Sequence, residues 1–290
     1  MRTGRLWTTM TAFLLVLTGL VTLAVPAQAG APPKNRPVYY LALGDSLSVG
    51  VQPDAGNVNH PTANGYADQL YQALKATTPN LQLKKLGCAV TETSGNMLRG
   101  PSDCRDQYRR HVQIADAAEF LLKNRGSVSL VTIDIGANDI EPCGSFEGID
   151  AACVQEAFSN VAANLPKILA ALRLAAGPHV PIVAMNYYNP FLAVWLLGDV
   201  ELARESNETV AAFNGLLGSI YRFFRVPVAD VATAFDTTAF EPLVDIGLPV
   251  PVPLNVAKIC GLTYMCQLGN IHATTDGYGV ITQAFLDALP

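Results

Sequence analysis

Apolar and polar positions along the chain alternate between two periods. Val38–Leu43 is a compact apolar run ending at Gly44, and Val128–Ile135, Pro181–Asn186 and Val226–Val231 read in the same way as strands. Leu81–Leu86 alternates apolar and polar residues, the mark of a half-buried strand. Between these runs the spacing turns helical. Tyr66–Ala76 places Tyr66, Ala67, Leu70, Ala73 and Leu74 at helical intervals, and Tyr108–Lys123 places Val112, Ala115, Ala118 and Leu122 on one side. Ala151–Ala176 is a long helix that Pro166 is expected to kink, and Val200–Phe224 and Gly277–Leu289 complete the set.

Five strands alternating with helices form the βαβ signature, which predicts an α/β domain with a parallel sheet covered on both faces. No linker or internal repeat divides it, so residues 38–290 are read as one domain, preceded by an extended tail at 30–37 (Gly-Ala-Pro-Pro-Lys-Asn-Arg-Pro). In such sheets ligands bind beyond the carboxyl ends of the strands, near the point where the strand order reverses. Candidate chemistry is therefore sought just after each strand.

Composition narrows the class. The chain is 50% hydrophobic and 15% charged, with 19 basic against 24 acidic residues, a net charge of −5, and no basic cluster beyond Arg109-Arg110. That balance excludes a disordered chain and argues against nucleic acid as a partner. The one stretch that approaches spanning length is N-terminal: Arg2 and Arg5 precede an uncharged Met10–Val25, followed by Pro26-Ala27-Gln28-Ala29. A basic start, apolar middle and Ala-x-Ala exit describe a secretory signal peptide over residues 1–29, whose removal leaves a secreted, more acidic chain without stable membrane insertion.

All six cysteines lie beyond that leader. They show neither a Cys-x-x-Cys nor a nearby His pair, so no metal site is expected, and an even count in an oxidising compartment points to three disulfides. Sequential pairing, Cys88–Cys104, Cys143–Cys153 and Cys260–Cys266, staples a short loop within each region. Each such loop adds roughly 2–3 kcal/mol by chain-entropy arithmetic.

Three strand-end segments carry candidate chemistry. Gly44-Asp45-Ser46-Leu47-Ser48 follows the first strand, where a serine on a strand-to-helix turn exposes both hydroxyl and N–H; the same residues also read as a helix N-cap. Ile135-Gly136-Ala137-Asn138-Asp139 follows the third; Asn138 offers a side-chain N–H to a developing oxyanion, or serves as a turn asparagine. Gly269-Asn270-Ile271-His272 directly precedes the last helix. Of the four histidines, only His272 sits where a base at the top of the sheet is expected; His60, His111 and His179 read as surface or capping residues.

Taken together, Gly-Asp-Ser-Leu-Ser, Gly-x-Asn-Asp and a C-terminal His resemble, in order and spacing, the conserved blocks of the GDSL or SGNH hydrolase family. Met185–Leu192 also resembles the segment after the fourth strand in its secreted bacterial lipase-like members. The resemblance implies a three-layer α/β/α sandwich around a five-stranded, mostly parallel, flavodoxin-like sheet. It implies ester hydrolysis through an acyl-enzyme on Ser46 with His272 as base, Ser46 N–H and Asn138 as oxyanion donors, and no metal or organic cofactor. The expected working unit is a monomer acting on a small-molecule or lipid acyl ester.

Two positions depart from the family pattern. Where it places an Asp shortly before the His, this chain has Gly269 and Asn270, neither of which supplies a carboxylate. The expectation is a Ser46–His272 dyad whose imidazole is oriented by a backbone carbonyl, with Asp276 free to cap the last helix. At the block that supplies a third oxyanion donor from a glycine, the corresponding residue is Val90, with Gly87 and Gly95 as alternatives. Finally, two apolar stretches are candidates for an acyl pocket, or else ordinary core: Asn189–Gly198, carrying Phe191, Leu192 and Trp195, and Gly247–Val256. A carbohydrate acetyl esterase and a degenerate binding protein are the alternative functions.

Overall fold

The computed structural model describes residues 36–290, so the expected leader and all but the end of the tail lie outside the described residues. Five strands form the central sheet: β1 (Val38–Gly44), β2 (Leu81–Lys85), β3 (Val128–Asp134), β4 (Ile182–Met185) and β5 (Val228–Ala229). Their order is β2-β1-β3-β4-β5 and every neighbouring pair is parallel, with Leu41 facing Val131 and Val131 facing Ile182. The chain steps from β1 to one side for β2, then returns past β1 to β3. The carboxyl ends of β1 and β3 therefore flank the switch point, where an open α/β sheet leaves a crevice.

Seven principal helices follow: α1 (Tyr66–Lys75), α2 (Ser94–Arg99), α3 (Gln113–Lys123), α4 (Ala151–Ala176), α5 (Val200–Phe223), α6 (Leu254–Leu262) and α7 (Thr275–Ala288). Right-handed crossovers put α1, which serves the step to β2, on the face opposite α3, α4 and α5, which serve the steps the other way. The packing agrees: α1 lies against α7, and α4 lies between α3 and α5. Leu41, Leu43, Val131, Ile133 and Val183 are fully buried between these layers, and Tyr66 of α1 stacks on Phe285 of α7 at 4.6 Å. No helix among the described residues is long and apolar enough to cross a membrane.

Several boundaries differ from the sequence reading. The helix expected over Tyr108–Lys123 begins at Gln113, because the Asp116 carboxylate accepts the Arg109 and Arg110 N–H groups (2.8 and 2.7 Å) and His111 takes φ 59°. Its buried face is Gln113, Ile114, Ala117 and Leu121, one residue away from the predicted stripe, and Leu122 is exposed. The last helix starts at Thr275, capped by Thr274, whose Oγ1 accepts the Gly277 N–H; Asp276 lies in the first turn and is not the cap. Helix α4 runs unbroken through Pro166. Within the predicted apolar stretch Gly247–Val256, a two-residue ribbon pairs Leu243–Val244 with Val252–Pro253, and α6 begins at Leu254.

Disulfides join Cys88 to Cys104, Cys143 to Cys153 and Cys260 to Cys266, leaving no free cysteine among the described residues. Each closes a loop at the carboxyl end of the sheet. The first ties the segment after β2 to the approach to α3, the second the segment after β3 to α4, and the third α6 to the turn before His272.

Candidate active site

The turn after β1 is built on a close approach. Gly44 has φ +134°, and a Cβ on it would stand 2.0 Å from the Asp134 carbonyl oxygen, so only glycine lets β1 end against β3 here. Gln113 holds the same residue from below, accepting the Gly44 N–H (2.7 Å) and donating to its carbonyl (2.9 Å). Asp45 then turns the chain: its Oδ1 accepts the Leu47 N–H (3.0 Å) and its carbonyl accepts the Ser48 hydroxyl (2.7 Å). Gly87 is equally constrained, since a Cβ there would meet Ser48 Oγ at 1.7 Å. Ser46 is left at the apex with its hydroxyl free to face the crevice. Its N–H has no partner among the described residues.

Behind the serine lie two buried carboxyls, Asp45 and Asp134. Asp134 accepts the Tyr66 hydroxyl and the Asp45 N–H. Burial pushes Asp45 up to about 6 and Asp134 well above the usual carboxylate range, the latter reinforced by the charge of Asp45. Burial thus favours the neutral form of Asp134 behind the serine.

His272 reaches this serine from the loop before α7. Its Nε2 lies 2.9 Å from Ser46 Oγ, and its Nδ1 lies 2.7 Å from Asn270 Oδ1. An amide oxygen only accepts, so Nδ1 carries the ring proton and Nε2 is left to take the serine proton. The expectation of a backbone carbonyl behind the imidazole is thereby corrected: the oxygen comes from the Asn270 side chain. The loop is fixed on three sides. The Tyr188 hydroxyl donates to the Ile271 carbonyl (2.7 Å), Tyr264 N–H donates to the His272 carbonyl (3.0 Å), and Gln52 Nε2 donates to the Ala273 carbonyl (3.2 Å).

The imidazole is buried, and burial alone lowers its pKa to about 4. A base must be neutral to act, so activity is lost as pH falls through that value. The acid limb of kcat/KM for a neutral ester is expected near pH 4, well below the ordinary imidazole range. A profile measured from about pH 3 to pH 8 checks this; an acid limb near 6.5 would contradict it.

Asn138 sits in a short helical turn, Ala137–Ile140, beyond β3. Its Nδ2 donates to the Glu92 carbonyl (3.3 Å), which leaves the second amide proton for a ligand. Asp139 works differently: its carboxylate accepts the Ser94 N–H (2.7 Å) and hydroxyl (2.8 Å) and lashes the start of α2 to this turn. Glu92 is buried, accepts from Ser102 and Gln113, and is pushed up to about 7 by burial.

Ser46, Asn138 and His272 open into one cavity of about 100 Å³. Its walls are almost wholly apolar: Ile140 and Ile149 flank the Cys143–Cys153 loop, Val154 comes from α4, Leu202 and Phe213 from α5, and Phe191 closes one side. The other predicted lining residues are elsewhere. Pro190–Leu197 is a 3₁₀ segment, whose three residues per turn send neighbouring side chains to different faces. Leu192 is buried in the core, and Trp195 packs on Phe240 with Arg204 over both rings. Val90 is 51% exposed and does not line the cavity, and neither does Gly247–Val256. Sequence reasoning missed the α4 and α5 contributions, since apolar positions on an amphipathic helix give the same signal whether they face core or cavity. Among the described residues no group of three or more His, Cys, Asp or Glu side chains converges as a metal site.

Comparison with known proteins completes the description. The profile of the GDSL-like lipase/acylhydrolase family matches residues 42–280. Among solved structures, an extracellular lipase from Streptomyces rimosus superposes with a TM-score of 0.53 at 17% identity, covering 87% of this chain and 100% of that one. An acetylxylan esterase, Axe2, from Geobacillus stearothermophilus gives 0.52 at 17% identity, covering 88% and 96%. At such identities both show a shared fold. No curated protein matches the chain.

Proposed function

The chain belongs to the GDSL-like lipase/acylhydrolase family, and from that premise we propose that it is a secreted serine hydrolase of carboxylic esters with an apolar acyl chain. The observation that carries the reading is the apolar cavity opening directly on the Ser46 hydroxyl. Ser46 Oγ attacks the ester carbonyl while His272 Nε2 takes its proton, and Asn270 Oδ1 holds the imidazole in the required tautomer. The oxyanion falls between the Ser46 N–H and the free Asn138 amide proton. His272 then protonates the departing alcohol, and a water activated by the same imidazole releases the acid from the acyl-enzyme.

The acyl chain occupies the cavity. A site of about 100 Å³ exceeds the ~30 Å³ share of one water, so an acetyl methyl leaves most of it empty. Export rests on the leader read in residues 1–29 and on three disulfides; the similar Streptomyces lipase is itself extracellular.

Nitrophenyl esters from acetate to palmitate test the reading, with Ser46→Ala as the blank. A Ser46-dependent rate that peaks between butyrate and octanoate is expected. A peak at acetate, with faster turnover of acetylated xylan than of any longer ester, would instead establish the carbohydrate esterase. No Ser46-dependent rate at any length would leave a binding protein.

A further inference from the structure

The ribbon that pairs Val51–Pro53 with Asn59–Pro61 takes no part in the reaction just described, yet it ends behind the residue that orients the base. Asn270 Nδ2 donates to Asn57 Oδ1 (3.0 Å) and to Asn59 Oδ1 (2.9 Å). The orientations of Asn270 and Asn57 are fixed by backbone groups with a single hydrogen-bonding role. The His272 backbone N–H can only donate, so the Asn270 atom 3.1 Å from it is the oxygen. The Leu268 carbonyl can only accept, so Asn57 directs its nitrogen there (3.0 Å) and its oxygen to Asn270. Asn57 is set in place by a turn in which it has φ 59°, and the Asp54 carboxylate accepts the Gly56 and Val58 N–H groups (2.8 and 3.0 Å). The titratable groups of this ribbon, Asp54 and His60, lie within hydrogen-bond distance of each other (3.1 Å).

We propose that Asn57 and Asn59 are positioning residues that make position 270 a place for an amide, so that the Ser46–His272 pair is built to work without a carboxylate. The inference rests on the hydrolase reading above. An amide at 270 gives its oxygen to His272 and both its protons to the ribbon. A carboxylate there would set an anionic oxygen against the Asn57 carbonyl oxygen, which the bond to the Leu268 carbonyl holds in place, and would leave the Asn59 oxygen without its donor. Asn57 and Asn59 are exposed, so water softens this conflict without reversing it. Asn270 is on this account a fitted part of the site, and the missing aspartate is no sign of decay.

Four proteins test it: the native chain, Asn270→Asp, Asn57→Gly with Asn59→Ala, and all three changes together. Glycine is used at 57 because φ 59° strains alanine. The ribbon double variant is expected to lose about tenfold in kcat with KM within about twofold, since the amide is then free to turn. Asn270→Asp alone loses about tenfold as well. The triple variant regains activity over Asn270→Asp, and its acid limb moves to higher pH, because an unopposed carboxylate stabilises the imidazolium. Asn270→Asp reaching native kcat with the ribbon intact, or the ribbon variant keeping native kcat, overturns the proposal. The His272 ring pKa, followed by NMR in the same proteins, gives a reading independent of turnover. It should rise by about one unit or more in the triple variant and clearly less in Asn270→Asp; equal rises refute the clamp. Absence of Ser46-dependent hydrolysis alongside the expected NMR pattern would overturn the hydrolase reading and leave the clamp standing.

Discussion

Ser46→Ala is expected to lower kcat/KM for nitrophenyl esters by about 10⁴-fold or more, with little change in KM and none in fold. The serine hydroxyl lies 2.9 Å from His272 Nε2 on the wall of the cavity that Asn138 also lines. What survives the change is the oxyanion donors and the acyl cavity, which together give only the residual catalysis that triad knock-outs retain. His272→Ala should cost about as much. The double variant should be no worse than either single one, because the two groups act as a unit and their losses do not add. Thermal unfolding of Ser46→Ala should match the native chain, since the turn is held by Gly44, Asp45 and Ser48 and not by the Ser46 side chain. Near-native turnover in Ser46→Ala would place the chemistry elsewhere in the molecule.

The second large effect is expected at Asn138. Its amide is aimed by the Glu92 carbonyl, and in the proposed mechanism its remaining proton and the Ser46 N–H receive the oxyanion at the cavity mouth. Removal of a single such donor costs about 10²–10³-fold in kcat, because the donor acts on charge that exists only in the transition state. Asn138→Ala should therefore reduce kcat by that factor and leave KM within a small multiple of native. Asn138→Asp should be at least as damaging, since it brings an acceptor, and at neutral pH a negative charge, to the place where negative charge develops. A change confined to KM would show that Asn138 binds the ground state and is no oxyanion donor. Comparison with Asp139→Asn guards the interpretation: that neighbour acts by lashing α2, so its loss should appear in thermal stability.

The two predictions rest on residues that were legible before any coordinates. A parallel sheet leaves little choice about where reactive groups stand. Val38–Leu43 and Val128–Ile135 announce themselves as strands through apolar runs, and the residues just beyond them fall at the switch point whatever the loops do. The identity of each residue then supplied the chemistry. The three disulfides were legible for a related reason, since each closes a short loop within one region of the fold.

Other expectations failed where direction mattered more than position. The stripe Val112, Ala115, Ala118 and Leu122 lies beside the most buried face of α3, Gln113, Ile114, Ala117 and Leu121, with Val112 and Ala118 still packed against the core. Leu192 and Trp195 are expected with Phe191 in the pocket, but Leu192 is buried in the core and Trp195 packs half-buried against Phe240. The side chain of Val90, whose N–H is the expected third donor, is exposed and lies off the cavity wall.

The amide at position 270 shows where the boundary lies. From the sequence it is an absence, an asparagine where an acid was expected, with a backbone carbonyl invoked to replace it. In the fold it is a donor to two oxygens 213 and 211 residues away and an acceptor from the base beside it. Local periodicity reports burial, and strand ends report location, because both follow from the backbone. Which atom of a side chain faces which partner is decided only when distant segments meet. By itself the sequence determined the sheet, the cysteine pairing and the three strand-end segments that place Ser46, Asn138 and His272 around one cavity. The tertiary structure alone decided the orientation of the base, the walls of the acyl cavity and the three asparagines behind the imidazole, since hydrogen bonds and cavities belong to contacts between segments.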